Sequence, residues 1–569
     1  MALVACAGAP VHAFTAATSG RTATFALPIN DNPNDILPFA TLHTTNVDLF
    51  DLQYLMWRPL YWFGQNGKVA YNPSLSIARA PTYSNGGRTV TITLKHYLWS
   101  NGKPVTSRDV EFFLNLLRAN KSEWEFYIPG EFPDNVTRMT FPNASTFTLT
   151  FRKTYNHYWL LYNQLSEIIP LPQQAWDKTG PTISLGNYDS TGSGAQKVFK
   201  YLLSQNSQLS TYATNPLWRV VDGPWKLSTF ESVTGRTVLT RNPTYSGRAV
   251  GNVSRLVELP FTSEFAEYAA LRAGEINYGY LPLTDIATKA QLRHQGYTLT
   301  SWLAWGIGYQ GLNFTSPTVG PILKQLYIRQ ALAHLVDQSG DIKHIMHGYG
   351  FPTYGPVPTE PPSNFVTPFE TTDPYPFSVH DATVLLAAHG WRRDAAGVDA
   401  CVRPGTGPSD CGAGIHAGAT LTLTDQYSSG ATVLTQVMEA LKSDASLAGI
   451  ALNLTTAPVN TVYGTYEPCT KKTPVGCQWD IKNATEGSYW FTYSPDFYPS
   501  GELIFLSGLG GDYHSARAQA LIAATQTAQG LGPMYRYENY IAAQLPYLWM
   551  PVTPYQISAI SSHLRGALP

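Results

Sequence analysis

The sequence predicts an α/β chain of two or more domains, and three observations carry that expectation. At 569 residues the chain exceeds what one hydrophobic core ordinarily serves. Short runs alternate apolar and polar residues, as in Thr89 to Leu94 and Thr146 to Phe151, and read as half-buried strands. Between such runs lie helical stripes with start signals. Thr106 precedes Val110, Phe113, Leu114 and Leu117, with Asp109 placed to complete a capping box.

Composition excludes several classes. The formal net charge is -1 and no long Lys/Arg run exists, so nucleic acid is not an expected partner. No apolar run reaches the length of a membrane helix. Aromatic residues make up 13%, with 14 Trp and 34 Tyr, which suits a large cleft lined by stiff amphipathic rings. There is no G-x-S-x-G elbow, H-E-x-x-H, P-loop or strand-to-helix G-x-G-x-x-G. His344 and His347 stand at i, i+3 on an expected helix without a third ligand nearby. No catalytic residue, metal or cofactor is therefore expected.

In chain order, residues to about Thr18 read as a flexible tether, followed by a strand from Thr24 to Ile29. The N-D-N-P-N-D run reads as a turn-rich segment. Val47 to Trp57 reads as helix. The stretch from Arg88 to Leu117 organises the chain, with a strand, a Ser100-Asn101-Gly102 turn and the capped helix in succession. Tyr188 to Tyr212 is polar and supports no assignment. Trp225 to Thr240 reads as a hairpin turning at Thr234-Gly235, stopped by Asn242-Pro243. A strand from Leu256 to Phe261 leads into a helix capped at Ser263 and ended at Gly274. Ala331, Leu332, Leu335 and Val336 mark another apolar helix face. Cys401/Cys411 and Cys469/Cys477 form two close pairs. Four cysteines allow three connectivities, local pairing being the simplest, and neither pair has the spacing of a zinc site.

The run L-K-H-Y-L-W-S-N-G-K-P-V-T-S-R-D-V resembles the signature of the extracytoplasmic solute-binding proteins of family 5, the peptide, dipeptide and nickel receptors of ABC importers. V-D-G-P-W with R-N-P-T-Y, L-N-F-T-S-P, Y-I-R-Q-A-L and G-P-V-P match further motifs of that family in the same order. Leu545 to Pro554 resembles the family's final strand, where the chain crosses back. The resemblance implies a two-lobed periplasmic-binding-protein-like fold of the large peptide-receptor type, with an extra inserted subdomain. It places the first lobe at 21–47, 168–261 and 549–569, the inserted subdomain at 48–167, and the second lobe at 262–548. It implies capture of an oligopeptide between the lobes by hinge closure and delivery to an ABC permease, by a monomer with no enzyme activity. An exported hydrolase would need a nucleophile or carboxylate pair that no motif supplies.

In peptide-binding members of the family a Trp followed three residues later by an Asp holds the ligand's α-ammonium. Here Trp490 matches the Trp, Tyr493 stands at the Asp position, and Asp496 and Tyr498 come next within W-F-T-Y-S-P-D-F-Y. That departure opens a second expectation, a non-peptide solute such as an oligosaccharide or metal chelate. Trp305, Tyr309 and Asn313 are further cleft candidates. In the family the loop after the first strand skirts the ligand cleft, which makes Asn30 and Asp31 weak site candidates. Leu3-Val4-Ala5-Cys6 resembles a lipobox, which implies lipidation at Cys6 and an extracytoplasmic chain tethered to the outer membrane face.

Overall fold

The computed structural model describes residues 21–29, 32–41, 52–65, 68–124, 126–247, 251–301, 306–483, 489–490, 511–552 and 557–565, with backbone alone at 65, 68–69 and 489–490. Two large sheets and one small one carry it. The first large sheet has seven strands in the order Tyr297–Ser301, Ile557–Ser561, Tyr278–Leu281, Thr22–Ala26, Arg255–Leu259, Thr237–Arg241 and Trp225–Phe230. The second has Ala451–Ala457, Thr422–Ser428, Ile481–Asn483, Gly306–Leu312 and Tyr489–Trp490 in order, with Tyr547–Met550 also on Gly306–Leu312. The small sheet is antiparallel, in the order Thr82–Ser84, Thr89–Thr93, Thr146–Phe151 and Val136–Asn143.

The small sheet shows why its residues fold as they do. Val90 and Ile92 are fully buried while Thr89, Thr91 and Thr93 are only half covered, the alternation of a one-sided strand. The helix Ser107–Ala119 starts at a capping box, with the Thr106 amide donating to Asp109 Oδ2 at 2.8 Å. Asp109 does more than cap. Its Oδ1 accepts from the Gln173 amide at 3.2 Å and its carbonyl accepts from the Leu171 amide at 3.2 Å, which fastens the chain's return to this helix.

The separated motifs meet in one place. The Ser100 amide donates to the Val221 carbonyl, the Ser100 hydroxyl to the Arg219 carbonyl, and the Val221 amide to Ser100 Oγ. Asn242 Nδ2 donates to the Gly223 carbonyl at 2.8 Å. A Cβ on Gly223 would fall 2.5 Å from the Leu55 carbonyl oxygen, so glycine is required there. Asp222 accepts from the Arg58 amide at 3.0 Å, and burial pushes its carboxyl up to about 8. The Arg58 guanidinium lies over the Trp62 ring at 4.7 Å and the Tyr245 ring at 5.8 Å. W-S-N-G, D-G-P-W and R-N-P are thus the joint between the small sheet and the first large one.

Several elements differ from the sequence reading. Gly192–Asn206 is a helix within the polar stretch 188–212, capped by Thr191 and burying Ala195, Val198, Phe199 and Leu202. In the expected helix from Val47, the described part is helical at Tyr54–Met56. The turn Asp341–Ile345 ends before His347, whose φ is 52°, so His344 and His347 do not share a helix face. Strands Tyr278–Leu281 and Tyr297–Ser301 pair with Thr22–Ala26 and Ile557–Ser561 in the first sheet, although they lie inside the 262–548 range expected for the second lobe. Trp549 and Met550 pair with Tyr309 and Gly308 in the second sheet. Both local disulfides form, Cys401–Cys411 and Cys469–Cys477.

Candidate ligand cleft

The strand Gly306–Leu312 is buried along its whole length and divides two environments. Ile307 and Tyr309, with Tyr547 and Trp549 from the paired strand, join a core that also contains Ala23, Leu239 and Leu256 of the first sheet and Trp159 of the small domain. Leu312, Leu548 and Met550 join the other core, with Leu434, Val437 and Leu441 of the helix Thr432–Ala448. One face of the second sheet, that of Tyr309, Tyr547 and Trp549, is aromatic, and the other core also takes in first-sheet residues such as Ala26, Tyr278 and Ile557.

Tyr309 stands opposite Trp549 in register and meets Tyr547 edge to face at 4.7 Å. The Tyr547 and Trp549 rings lie 6.2 Å apart. Trp549 is buried and its Nε1 has no hydrogen-bond partner among the described residues. Gly311 lies in the same row because Tyr466 crosses it: a Cβ there would fall 1.7 Å from the Tyr466 hydroxyl. Beyond Tyr466, the Lys482 amine donates to the carbonyls of Val462 (3.3 Å) and Thr465 (2.9 Å), and burial lowers it to about 8.

Hydrogen bonds join the opposed sides. The Asn156 amide donates to the Gln526 carbonyl at 2.7 Å, Asn156 Nδ2 to the Ala528 carbonyl at 2.8 Å, and Gln529 Nε2 to the Tyr155 carbonyl at 3.2 Å. Gln526 Nε2 donates to Glu131 Oε1. Burial pushes the Glu131 carboxyl up to about 7, with the Gln526 donor and Lys153 opposing. These residues link the small domain to the helix Ala516–Thr527, which leads through Gly532–Gln544 into Tyr547–Met550. Elsewhere, Glu264 Oε2 accepts from the Thr432 amide at 2.9 Å. The helix Thr432–Ala448 has Ala431 as N-cap, with no side-chain cap, so Glu264 on a helix of the first lobe supplies the missing acceptor.

The expected site residues fall in three groups. Tyr309 lies on the aromatic face. Asn313 is buried with its amide fully engaged: Nδ2 donates to the Gly476 and Trp479 carbonyls, and Oδ1 accepts from the amide and hydroxyl of Thr315. It pins the disulfide loop, and that capacity is not open to a ligand. Trp490 is described as backbone, paired with Gly306. Asn30, Asp31, Trp305, Tyr493, Asp496 and Tyr498 lie outside the described residues, as does Cys6. Tyr547 and Trp549 are additions that the structure makes to the site. The sequence does carry a signal for them, since alternation in Tyr547 to Met550 places both on the face opposite Leu548 and Met550. Among the described residues no cluster of three or more metal-ligating side chains occurs, and no helix is long and apolar enough to cross a membrane.

Comparison with known proteins gives this geometry a context. The model of the bacterial extracellular solute-binding proteins, family 5 Middle, matches residues 72–501. A putative ABC transporter peptide-binding protein of Brucella ovis is 24% identical over 280 residues, 48% of this chain and 45% of the relative. The match thus spans about half the length of that curated relative. The oligopeptide-binding protein AppA of Bacillus subtilis, solved with a nonapeptide, superposes with a TM-score of 0.73 at 16% identity, covering 96% of each chain. An oligopeptide-binding protein of Thermotoga maritima, solved with mannohexaose, gives 0.71 at 15% identity, covering 95% of this chain and 92% of the other. These likenesses establish the two-lobed periplasmic-binding fold.

Proposed function

The chain belongs to the bacterial extracellular solute-binding proteins of family 5, and from that premise we propose that it is the oligopeptide receptor of an ABC importer. Oligopeptide is captured between the two lobes and handed to the permease. The first lobe is the seven-stranded sheet with the small domain inserted, and the second is the six-stranded sheet with its helices. The chain crosses between them after Ser301 and after Val552. Closure is stabilised by as much as the ligand prefers the closed over the open form. The bonds that Asn156 donates to Gln526 and Ala528, and the one that Glu131 accepts from Gln526, belong to the closed form. No bond of the ligand is made or broken, so no catalytic role is assigned.

The observation that carries this reading is the aromatic face of Tyr309, Tyr547 and Trp549, set in a core that also holds residues of the first sheet and of the small domain. Trp305, Trp490, Tyr493, Asp496 and Tyr498, with Asn30 and Asp31 from the first lobe, complete the proposed lining. Cys6 carries the lipid anchor, and the monomer works on the outer side of the cell membrane. A second reading, an oligosaccharide ligand, rests on the same rings, which stack on sugar faces as readily as on peptide side chains.

Native mass spectrometry of the purified protein, followed by denaturing release, tests both. A ladder of adducts with peptide masses supports the peptide receptor. Adducts spaced by one hexose transfer the assignment to the oligosaccharide. A protein that carries neither, and whose unfolding midpoint responds to neither a tripeptide mixture nor mannohexaose, refutes both.

A further inference from the structure

Beside Trp549 the second lobe holds a pocket whose lining residues include Tyr354, Tyr375, Trp549, Asp373, Val336 and Leu545. Its polar wall is largely engaged. Tyr375 donates its hydroxyl to the Ala543 carbonyl at 2.9 Å and accepts from Gln330 at 3.3 Å. Gln338, also in the lining, donates to the Thr353 carbonyl at 2.8 Å and accepts from the Thr353 amide at 2.9 Å. Two groups stand out. Asp373 accepts from the Tyr375 amide at 2.9 Å through Oδ1, and no ion pair among the described residues includes it. The buried Trp549 Nε1 has no acceptor among the described residues.

Charge and size narrow what fits. Partial burial holds the Asp373 carboxyl above its ordinary value, against the Tyr375 amide bond and the neighbouring His334 ring, whose Nδ1 is bonded to the Pro376 carbonyl. Aromatic faces attract cations and repel anions, and a lone carboxylate among them acts in the same sense. The cavity is about 20 Å³, the room of a single water or ammonium head.

We propose that the pocket between Asp373, Tyr354, Tyr375 and Trp549 is a subsite for a primary ammonium group, carried by the solute that the protein captures. Asp373 accepts the ammonium N–H bonds, the rings surround the charge, and Trp549 Nε1 donates to a ligand oxygen placed near the amine. The source of the ammonium, a lysine side chain or a free amino terminus, rests on the peptide reading; the pocket itself does not.

The full chain is titrated with n-butylammonium chloride by calorimetry and by thermal unfolding, with n-butanol, tetrabutylammonium chloride and sodium chloride at matched ionic strength. The expected result is saturable binding of n-butylammonium alone. Asp373→Asn, which keeps an acceptor for the Tyr375 amide, weakens it at least tenfold, and Tyr354→Leu at least threefold. Equal responses to n-butylammonium and sodium chloride, or unchanged binding in both variants, overturn the subsite. Should either variant fail to fold, the other and the wild-type panel decide. N-acetyl-lysine methylamide and glycinamide then compete separately, the first supporting a side-chain amine and the second an amino terminus. Butylammonium binding in a protein that neither carries nor responds to any peptide keeps the pocket and removes the peptide reading. Peptide binding indifferent to Asp373→Asn does the reverse.

Discussion

Asn156 offers a way to separate closure from folding. It does two jobs: Oδ1 accepts from the Tyr158 and Trp159 amides at 2.9 and 3.4 Å as a helix N-cap, and Nδ2 donates to the Ala528 carbonyl across the lobes. Aspartate caps as well as asparagine, so Asn156→Asp retains the first job and removes the second. The substitution sets a carboxylate against a carbonyl at a site only 1% exposed. Losing one buried bond and leaving its acceptor unmatched costs about 1–3 kcal/mol. If the bond exists only in the closed form, that energy is drawn from ligand affinity, about 5- to 150-fold at 1.4 kcal/mol per decade. The assay is the Kd for a peptide recovered from the native protein, measured beside the unfolding midpoint without ligand. Asn156→Asp should weaken binding within that range and leave the ligand-free midpoint nearly unchanged. Asn156→Ala should lower both, because it also removes the cap. An Asn156→Asp protein with unaltered Kd, or with a midpoint depressed as far as that of Asn156→Ala, would refute the assignment of this bond to the closed state.

Glu131, raised from 4.5 to about 7, favours its neutral form in the folded chain. Its stabilising contribution is complete below about pH 4.5 and is lost as pH rises through 7. Glu131→Gln should flatten that part of the midpoint-against-pH curve between pH 5 and 8. Asp425, fully buried, is raised to about 7 by that burial, with Gln310 opposing, and has the same sign. Asp425→Asn should stabilise the protein at pH 8 relative to wild type and have little effect at pH 5, read by urea unfolding at both. Replacing Cys401 and Cys411 by Ser opens a loop with a separation of 10 residues and should remove about 2–3 kcal/mol by the same urea titration. Thr106→Ala should cost about 0.5–2 kcal/mol through the lost cap, with the largest loss of hydrogen-exchange protection expected in Ser107–Ala119.

Much of the fold is legible because its elements announce themselves locally. Thr146–Phe151 alternates cleanly, Ser263 caps where expected, and the hairpin turns at Gly235, whose φ is 75°. The helix Gly192–Asn206 escapes a sequence reading because its apolar stripe is diluted by Gly192, Gly194 and a run of Lys, Gln and Ser. Lobe limits are less legible, since a strand's sequence does not say which sheet it will pair with. Tyr278–Leu281 is buried on both faces and carries no marker of its partner. At the site, Tyr309 can be placed from sequence, whereas Asn313 cannot. A buried Asn serving an Asx turn and one serving a ligand look alike until their partners are known. Asp373 gives no signal because the rings around it come from residues up to 195 positions apart, Tyr354 and Trp549.

The strand order of the first sheet also sets a sequence of events for the growing chain. Thr22–Ala26 is seated between Arg255–Leu259 and Tyr278–Leu281, and Ile557–Ser561 between Tyr278–Leu281 and Tyr297–Ser301. Among the described strands, Thr22–Ala26 must wait for more than two hundred residues to arrive, and the sheet is closed only when Ile557–Ser561 has been made. The second sheet, by contrast, draws all its strands from one continuous stretch, 306–550. Loop closure over such spans is slow, and unpaired edges stay exposed meanwhile. The second lobe can therefore mature as a unit while the first remains open around it. A chain shortened before Ile557 would keep a gap inside its first sheet, a template for aggregation rather than a lobe with one strand fewer.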